Sequence, residues 1–286
     1  MIFLDGELSA DERDDATARF RVIPVPLERT VSYGSGTAGG PAAILEASVE
    51  LERLWRGAEP CSAGIATEEP VACDGPLPEV MARIEARTRR AVAAGAVPVV
   101  LGGEHSLSYG AVRGVAAATG EALGIVQIDA HADLRHAYQG ERHSHASVMR
   151  LLAEEDGLRL AQYGVRALCA EEAEARKRLG VVHSDGEALA RGEDPVLPRD
   201  FPRKIYVSFD VDGLDPSVMP DTGTPVPGGL GFWQAIHLLE RVCAGRQIVG
   251  IDVVELAPQD GSRVSDFTAA QICYALMGLE RQFAES

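Results

Sequence analysis

Lysine is nearly missing from the 286 residues, with Lys177 and Lys204 the only two. A lysine nucleophile or Schiff base is therefore not expected. Positive charge is scarce altogether: 27 basic residues face 43 acidic ones, a formal charge of −16, the wrong sign for gripping a nucleic-acid backbone. Most of these carboxylates read as solvated surface, yet the excess would help steer a cationic substrate. No apolar run reaches membrane-spanning length, and the N-terminus carries Asp5, Glu7, Asp11 and Glu12 rather than a signal-peptide core. A soluble, cytoplasmic chain is expected, with no membrane partner. The five cysteines (Cys61, Cys73, Cys169, Cys243 and Cys273) are scattered and never at CxxC spacing, which suits reduced thiols better than disulfides or a zinc cluster. The glycine-rich stretch from Thr30 to Gly40 lacks GxGxxG or Walker spacing, so it reads as the rim of a site rather than a phosphate cradle.

What is present is a repeated rhythm of short apolar runs and helical stretches. Strands are expected at 20–26, 97–101, 122–128, 159–166, 180–183, 205–209 and 247–254. Helices are expected from Pro41 to about Leu54, over 77–95, from Ser106 to about Ala118, over 170–178, over 232–244 and from about Ser265 to Phe283. Alternation of this kind predicts a parallel sheet with right-handed crossovers, in one α/β domain spanning 1–286. The segment Gly213 to Gly231, rich in proline and glycine, is too long for a plain connection and reads as functional.

Three of the apolar runs end in side chains that bind metals. Val97-Pro98-Val99-Val100-Leu101 leads to Gly102-Gly103-Glu104-His105. Ala122 to Ile128 leads to Asp129-Ala130-His131-Ala132-Asp133, and Ile205 to Phe209 leads to Asp210-Val211-Asp212. In extended chain, residues i, i+2 and i+4 point the same way, so Asp129, His131 and Asp133 can converge. The carboxyl end of a parallel sheet is also the usual binding edge. One such cluster could be a helix cap beside a surface histidine; three together point to a cation. Six candidates exceed the usual ligand count of a single catalytic zinc and fit two ions that share carboxylates. A set rich in oxygen with two imidazoles favours manganese. Two divalent ions would roughly balance the four aspartates, and Glu255 at another strand end would leave the site anionic. That charge suits hydrolysis of a cationic substrate.

Gly102-Gly103-Glu104-His105-Ser106, Asp129-Ala130-His131-Ala132-Asp133 and Ser208-Phe209-Asp210-Val211-Asp212-Gly213-Leu214-Asp215-Pro216 together resemble the three metal motifs of the ureohydrolase family, which includes arginases and agmatinases. The likeness runs from Gly34 to Glu255. It implies a three-layer α/β/α arginase-type fold with a mainly parallel sheet, two Mn2+ per chain and a homo-oligomer, trimeric or hexameric. By resemblance, His105, Asp129, Asp133 and Asp210 would hold one ion and Asp129, His131, Asp210 and Asp212 the other, with Asp129 and Asp210 bridging. In the family, an activated water attacks the guanidinium carbon. Asp133 matches the group that passes a proton to the leaving amine, and His145 matches the proton-shuttle histidine. Glu255 matches the carboxylate that pairs with the guanidinium, with Thr224 near it. The other histidines, His136, His143, His183 and His237, read as solvated or structural.

The resemblance also bears on the substrate. Gly164-Val165-Arg166 is followed by Ala167, Leu168 and Cys169, where arginases carry aspartates for the α-amino group, although Glu171 and Glu172 lie close by. Arginine is thereby disfavoured. Thr222-Gly223-Thr224-Pro225 resembles agmatinases, so agmatine hydrolysis to putrescine and urea is the leading expectation. Guanidinobutyrate and guanidinopropionate stay open, a formiminoglutamase fits less well, and a non-catalytic regulator on the same fold would have lost metal ligands that are all present here.

Overall fold

The computed structural model describes residues 1–284, so the last two residues of the domain expected over 1–286 lie outside them. Eight strands form one sheet: β1 (Phe20–Val25), β2 (Ile65–Thr67), β3 (Val97–Gly102), β4 (Leu123–Ile128), β5 (Leu158–Tyr163), β6 (Val182–Ser184), β7 (Lys204–Asp210) and β8 (Gln247–Val254). Their order is β2-β1-β3-β8-β7-β4-β5-β6, and every pairing is parallel. The helices are α1 (Gly40–Ser48), α2 (Leu77–Ala93), α3 (Ser108–Thr119), α4 (Val148–Ala153), α5 (Ala170–Leu179), α6 (Gly186–Ala190), α7 (Phe232–Val242) and α8 (Val264–Ala284).

Alternation along the strands explains the layers. Val97, Val99 and Leu101 of β3 join an apolar cluster with Ile44 of α1, Leu239 of α7 and Ile272 of α8. Val100, between them, joins the opposite cluster with Ile84 of α2, Val112 of α3 and Met149 of α4. With both faces covered, the strands read as near-continuous apolar runs, as buried parallel sheets do. The fold is the expected three-layer α/β/α sandwich. Between β3 and β4 the chain jumps across the sheet, and β8 and β7 later fill the gap. That reversal puts the carboxyl ends of β3, β8, β7 and β4 side by side.

Several boundaries and short elements differ from expectation. Helix α1 stops at Ser48 instead of continuing to Leu54, because the Ser48 hydroxyl donates to Leu45 O at 2.7 Å and accepts the N–H of Leu4 at 3.0 Å. Beyond it, Arg53 is drawn into ion pairs with Glu12 and Glu59. Strand β5 stops at Tyr163, since Gly164 turns the chain at φ 92°. Strand β2 and helix α6 were not anticipated; at three and five residues they are too short to show a period. Among the described residues no helix is long and apolar enough to cross a membrane. All five cysteines are free, with Cys61, Cys243 and Cys273 buried in the core.

Helices α2 and α3 approach so closely that their backbones meet at two glycines. A Cβ on Gly114 would lie 2.0 Å from Thr88 Oγ1 and 2.3 Å from Glu85 O, and one on Gly110 would lie 2.5 Å from Met81 O. Gly114→Ala should therefore lose about 1–3 kcal/mol through overpacking, despite the better helix propensity of alanine. A urea-unfolding midpoint equal to or above the wild type would contradict this packing.

Candidate active site

The four neighbouring strands deliver their ends to one place. β3 leads through Gly102-Gly103 to Glu104 and His105, β4 runs into Asp129, His131 and Asp133, β7 ends at Asp210 with Asp212 in the following turn, and β8 leads into Glu255. Most of these groups are buried, Asp129 completely and Asp210 and Asp212 nearly so; His131 is the most open. Backbone and amide donors pin three of the four aspartates. Asp129 accepts the N–H of His131 at 2.5 Å and the Gln127 amide at 2.6 Å, Asp210 accepts the N–H of Asp212 at 2.9 Å, and Asp212 accepts the N–H of Ala130 at 3.0 Å.

His105, Asp129 and Asp210 offer ligand atoms within 4.8 Å of one another, and so do Asp129, His131 and Asp212. Asp129 thus belongs to both groups. The other expected ligand, Asp133, comes within 3.0 Å of His105 Nδ1.

The orientation of His105 shows what the cluster fits. Its Nε2 lies 2.9 Å from Ser208 Oγ, and Ser208 donates to Asp252 at 2.7 Å. A hydroxyl has one proton, so Nε2–H must donate to Ser208, and the lone pair of the neutral ring falls on Nδ1. Nδ1 is buried without a hydrogen-bond partner, while oxygens of Asp133, Asp129 and Asp210 stand 3.0, 3.2 and 3.3 Å away. A lone pair among three carboxylates is repulsive unless a cation joins them, so the donor set fits a divalent metal. Burial acts to lower the His105 pKa, but the facing carboxylates of Asp129, Asp133 and Asp210 hold it well above its ordinary value. Burial likewise opposes the charge on His131, which hydrogen bonds to Asp129 and Asp212 push up to about 12.

The carboxylates show the same tension. Burial pushes Asp133 up to about 7, with the Asp129 charge adding to it, and pushes Glu255 up to about 8. Burial and the charges of Asp212 and Asp129 raise Asp210 well above the carboxylate range. Asp133 and Glu255 also adopt left-handed backbone, φ 52° and 66°, which costs a non-glycine residue about 1–2 kcal/mol. Hydrogen bonds hold both turns: the N–H of Arg150 donates to Asp133 O at 3.1 Å, and the N–H of Glu255 to Gly103 O at 2.9 Å. Strain of this sort gathers at functional sites.

A model described as the arginase family matches residues 18–278. The chain belongs to the arginase family. It is 40% identical to an N(1)-aminopropylagmatine ureohydrolase of Thermus thermophilus, over 92% of this chain and 90% of the relative. A second protein of that name, from Synechocystis, is 36% identical over 96% of this chain and 92% of its own length. Among solved structures, the agmatine ureohydrolase of Thermoplasma volcanium superposes with a TM-score of 0.84 at 27% identity, covering 99% of this chain and 98% of that one.

A cavity of about 430 Å3 opens over the cluster of this arginase-family site. His131, Asp133, Asp210, Asp212, Thr224 and Glu255 line its floor, and His145 stands in its wall. Every residue expected at the site is therefore brought to one place, with His105 and Asp129 beneath the floor. Glu255 Oε1 accepts the N–H of His105 at 2.6 Å, and Thr224 Oγ1 lies 3.5 Å from Asp212. The expected functional segment 213–231 does reach the cavity, through Thr224. Arg166 braces it from below, donating to the carbonyl oxygens of Asp212, Leu214 and Val226. The loops that carry Ser32 and Thr224 to the cavity meet through backbone: the N–H of Gly34 donates to Gly223 O at 3.2 Å, and a Cβ on Gly34 would lie 2.8 Å from Gly223 Cα. The remaining histidines lie outside the cavity lining; His143 is not free in solvent but packs on Tyr109 at 5.2 Å.

Several contributors were not singled out from the sequence. Gln127, Ser208 and Asp252 sit inside fully buried strands and hold the ligands from behind. A polar residue within an otherwise apolar strand was the available signal, because such a group must find a partner. Arg135 and Tyr138 in the cavity wall, stacked at 5.2 Å, carry no such mark. Asp210→Asn should lower the metal bound per chain by at least one ion in elemental analysis, and manganese should raise the melting temperature of the variant less than that of the wild type. Unchanged stoichiometry would remove Asp210 from the ligand set.

Proposed function

We propose that this arginase-family hydrolase cleaves the guanidino group of a guanidino-alkylamine, agmatine or its N1-aminopropyl derivative, to urea and the free amine. The observation that carries the reading is Glu255, a buried carboxylate on the same cavity floor as Asp133, Asp210 and Asp212. Burial raises Glu255 to about 8, and a guanidinium beside it, always protonated, restores its charge and forms a paired hydrogen bond. Two Mn2+ ions are the reading for the metal: His105, Asp129, Asp133 and Asp210 would hold one, and Asp129, His131, Asp210 and Asp212 the other. When bound, the pair supplies the positive charge that makes a water nucleophilic at neutral pH.

The protein's own groups manage position and protons. Glu255 and Thr224 orient the guanidinium over the floor. Asp133, facing both His105 and the cavity, hands a proton to the departing amine nitrogen. His145 exchanges protons with solvent; burial lowers its pKa, so its ring is neutral at pH 7 and free to accept one.

The outer wall supports the choice of substrate. Ala167, Leu168 and Cys169 line it without charge. Of the two nearby glutamates, Glu172 is buried and spends its oxygens on the N–H groups of Leu134 and Cys169, at 3.1 and 2.8 Å. Glu171 accepts the N–H of His136. These contacts, with Arg150 3.7 Å from Glu171, compete with an α-amino group for both carboxylates, which weighs against arginine. The two relatives named for N(1)-aminopropylagmatine support the longer substrate, whose product would be spermidine, over agmatine, whose product would be putrescine. Cytoplasmic placement and a homo-oligomeric assembly go with this reading.

Urea release by manganese-loaded protein should be fastest with N1-aminopropylagmatine or agmatine, and slower with arginine, guanidinobutyrate and guanidinopropionate. A carboxylate-bearing winner would overturn the substrate class, and silence on all five would overturn the activity. His145→Ala should keep both metals yet lose roughly a hundredfold or more in kcat; full turnover would remove His145 from the mechanism.

A further inference from the structure

His145 is held by groups far away in the chain. Thr30 Oγ1 accepts the backbone N–H of His145 at 3.0 Å and lies 3.2 Å from its ring Nδ1. The same hydroxyl is 2.8 Å from Oε1 of Glu104. Glu104 is completely buried, and donors surround it: the N–H groups of Arg29 and Thr30 both reach Oε2 at 2.6 Å, and the hydroxyls of Thr30 and Ser106 reach Oε1. Ser32 Oγ stands 3.4 Å from His145 Nε2, on the cavity side.

Proton counting then fixes the ring. A threonine hydroxyl has one proton and two lone pairs. A backbone N–H can only donate, so it takes one lone pair. The proton goes to the shorter, charge-assisted contact with Glu104. What remains toward Nδ1 is a lone pair, and only a protonated Nδ1 can bond to it.

We propose that Thr30 and Glu104 are positioning residues that lock His145 in the Nδ1–H tautomer, so that the basic Nε2 faces Ser32 and the cavity. The free imidazole ordinarily favours the other tautomer, which would turn its N–H, not its lone pair, toward the substrate. The inference rests on the proton-shuttle role of His145 only for its catalytic consequence; the tautomer is a property of the chain alone. It also explains a buried glutamate, next to a ligand histidine, that neither faces the cavity nor belongs to the metal-binding groups.

The test is nitrogen NMR of the histidine rings in the full-length chain loaded with diamagnetic zinc, with the His145 signals assigned by their loss in His145→Ala. The wild type should show a protonated Nδ1 and a bare Nε2. Thr30→Val removes the lone pair and should move the proton to Nε2, with kcat of the manganese enzyme down roughly tenfold or more at unchanged metal content. Thr30→Ser should restore both. If Thr30→Val does not fold, Glu104→Gln asks the same question. The N–H groups of Arg29 and Thr30 keep the amide oxygen toward themselves, so its NH2 faces Thr30. The Thr30 hydroxyl must then donate to Nδ1, and the ring proton should again move to Nε2. A wild-type ring protonated on Nε2, or a tautomer indifferent to these variants, would overturn the proposal. If the tautomer shifts while kcat stays unchanged, the catalytic reading of His145 fails and the lock itself stands.

Discussion

Like charge brought together in a water-poor place is what this structure has to manage. Four aspartates and a glutamate meet where four parallel strands end, and unpaired ions in such a setting are costly. Each is tolerated because the surroundings supply positive charge or donors: backbone N–H groups, the Gln127 amide, two imidazoles and, by the reading above, two divalent ions. The orphaned Nδ1 of His105 marks the point where protein donors run out.

The rest of the sheet follows from that demand. The jump between β3 and β4 opens a gap that β8 and β7 fill, so ligands from distant parts of the chain become neighbours. Behind them, Ser208 and Asp252 fix one histidine while Thr30 and Glu104 fix another. Both arrangements end in a buried carboxylate that accepts the proton of a hydroxyl, which in turn faces an imidazole nitrogen. One leaves a lone pair on Nδ1 for a metal; the other leaves it on Nε2 for the cavity.

Much of this could be read from the residues. The strands were legible because mostly apolar runs of five to seven residues ended abruptly in Asp and His, and the ligands because that ending occurred three times. Helix α1 was overextended because the contacts that stop it, Ser48 with Leu4 and Arg53 with Glu12 and Glu59, come from segments remote in sequence. The meeting of α2 and α3 at Gly110 and Gly114 was hidden for the same reason. Thr30 falls in the stretch read as the rim and Glu104 inside a metal motif, but nothing local links either to His145 until the fold places them beside it. Strand ends announce themselves locally; the hydrogen bonds that orient them do not.

The glycine contact between Gly34 and Gly223 has a consequence for how such a pocket can diversify. Where two loops meet backbone to backbone, no side chain is available for mutation to alter, and enlarging Gly34 would pry the loops apart. That contact leaves little room for change. The side chains of Arg135, Tyr138, Ala167, Leu168 and Cys169 reach the cavity lining itself and can be exchanged without disturbing the metal-binding floor. New substrate preferences therefore arise more readily from those side chains than from the joint between the two loops.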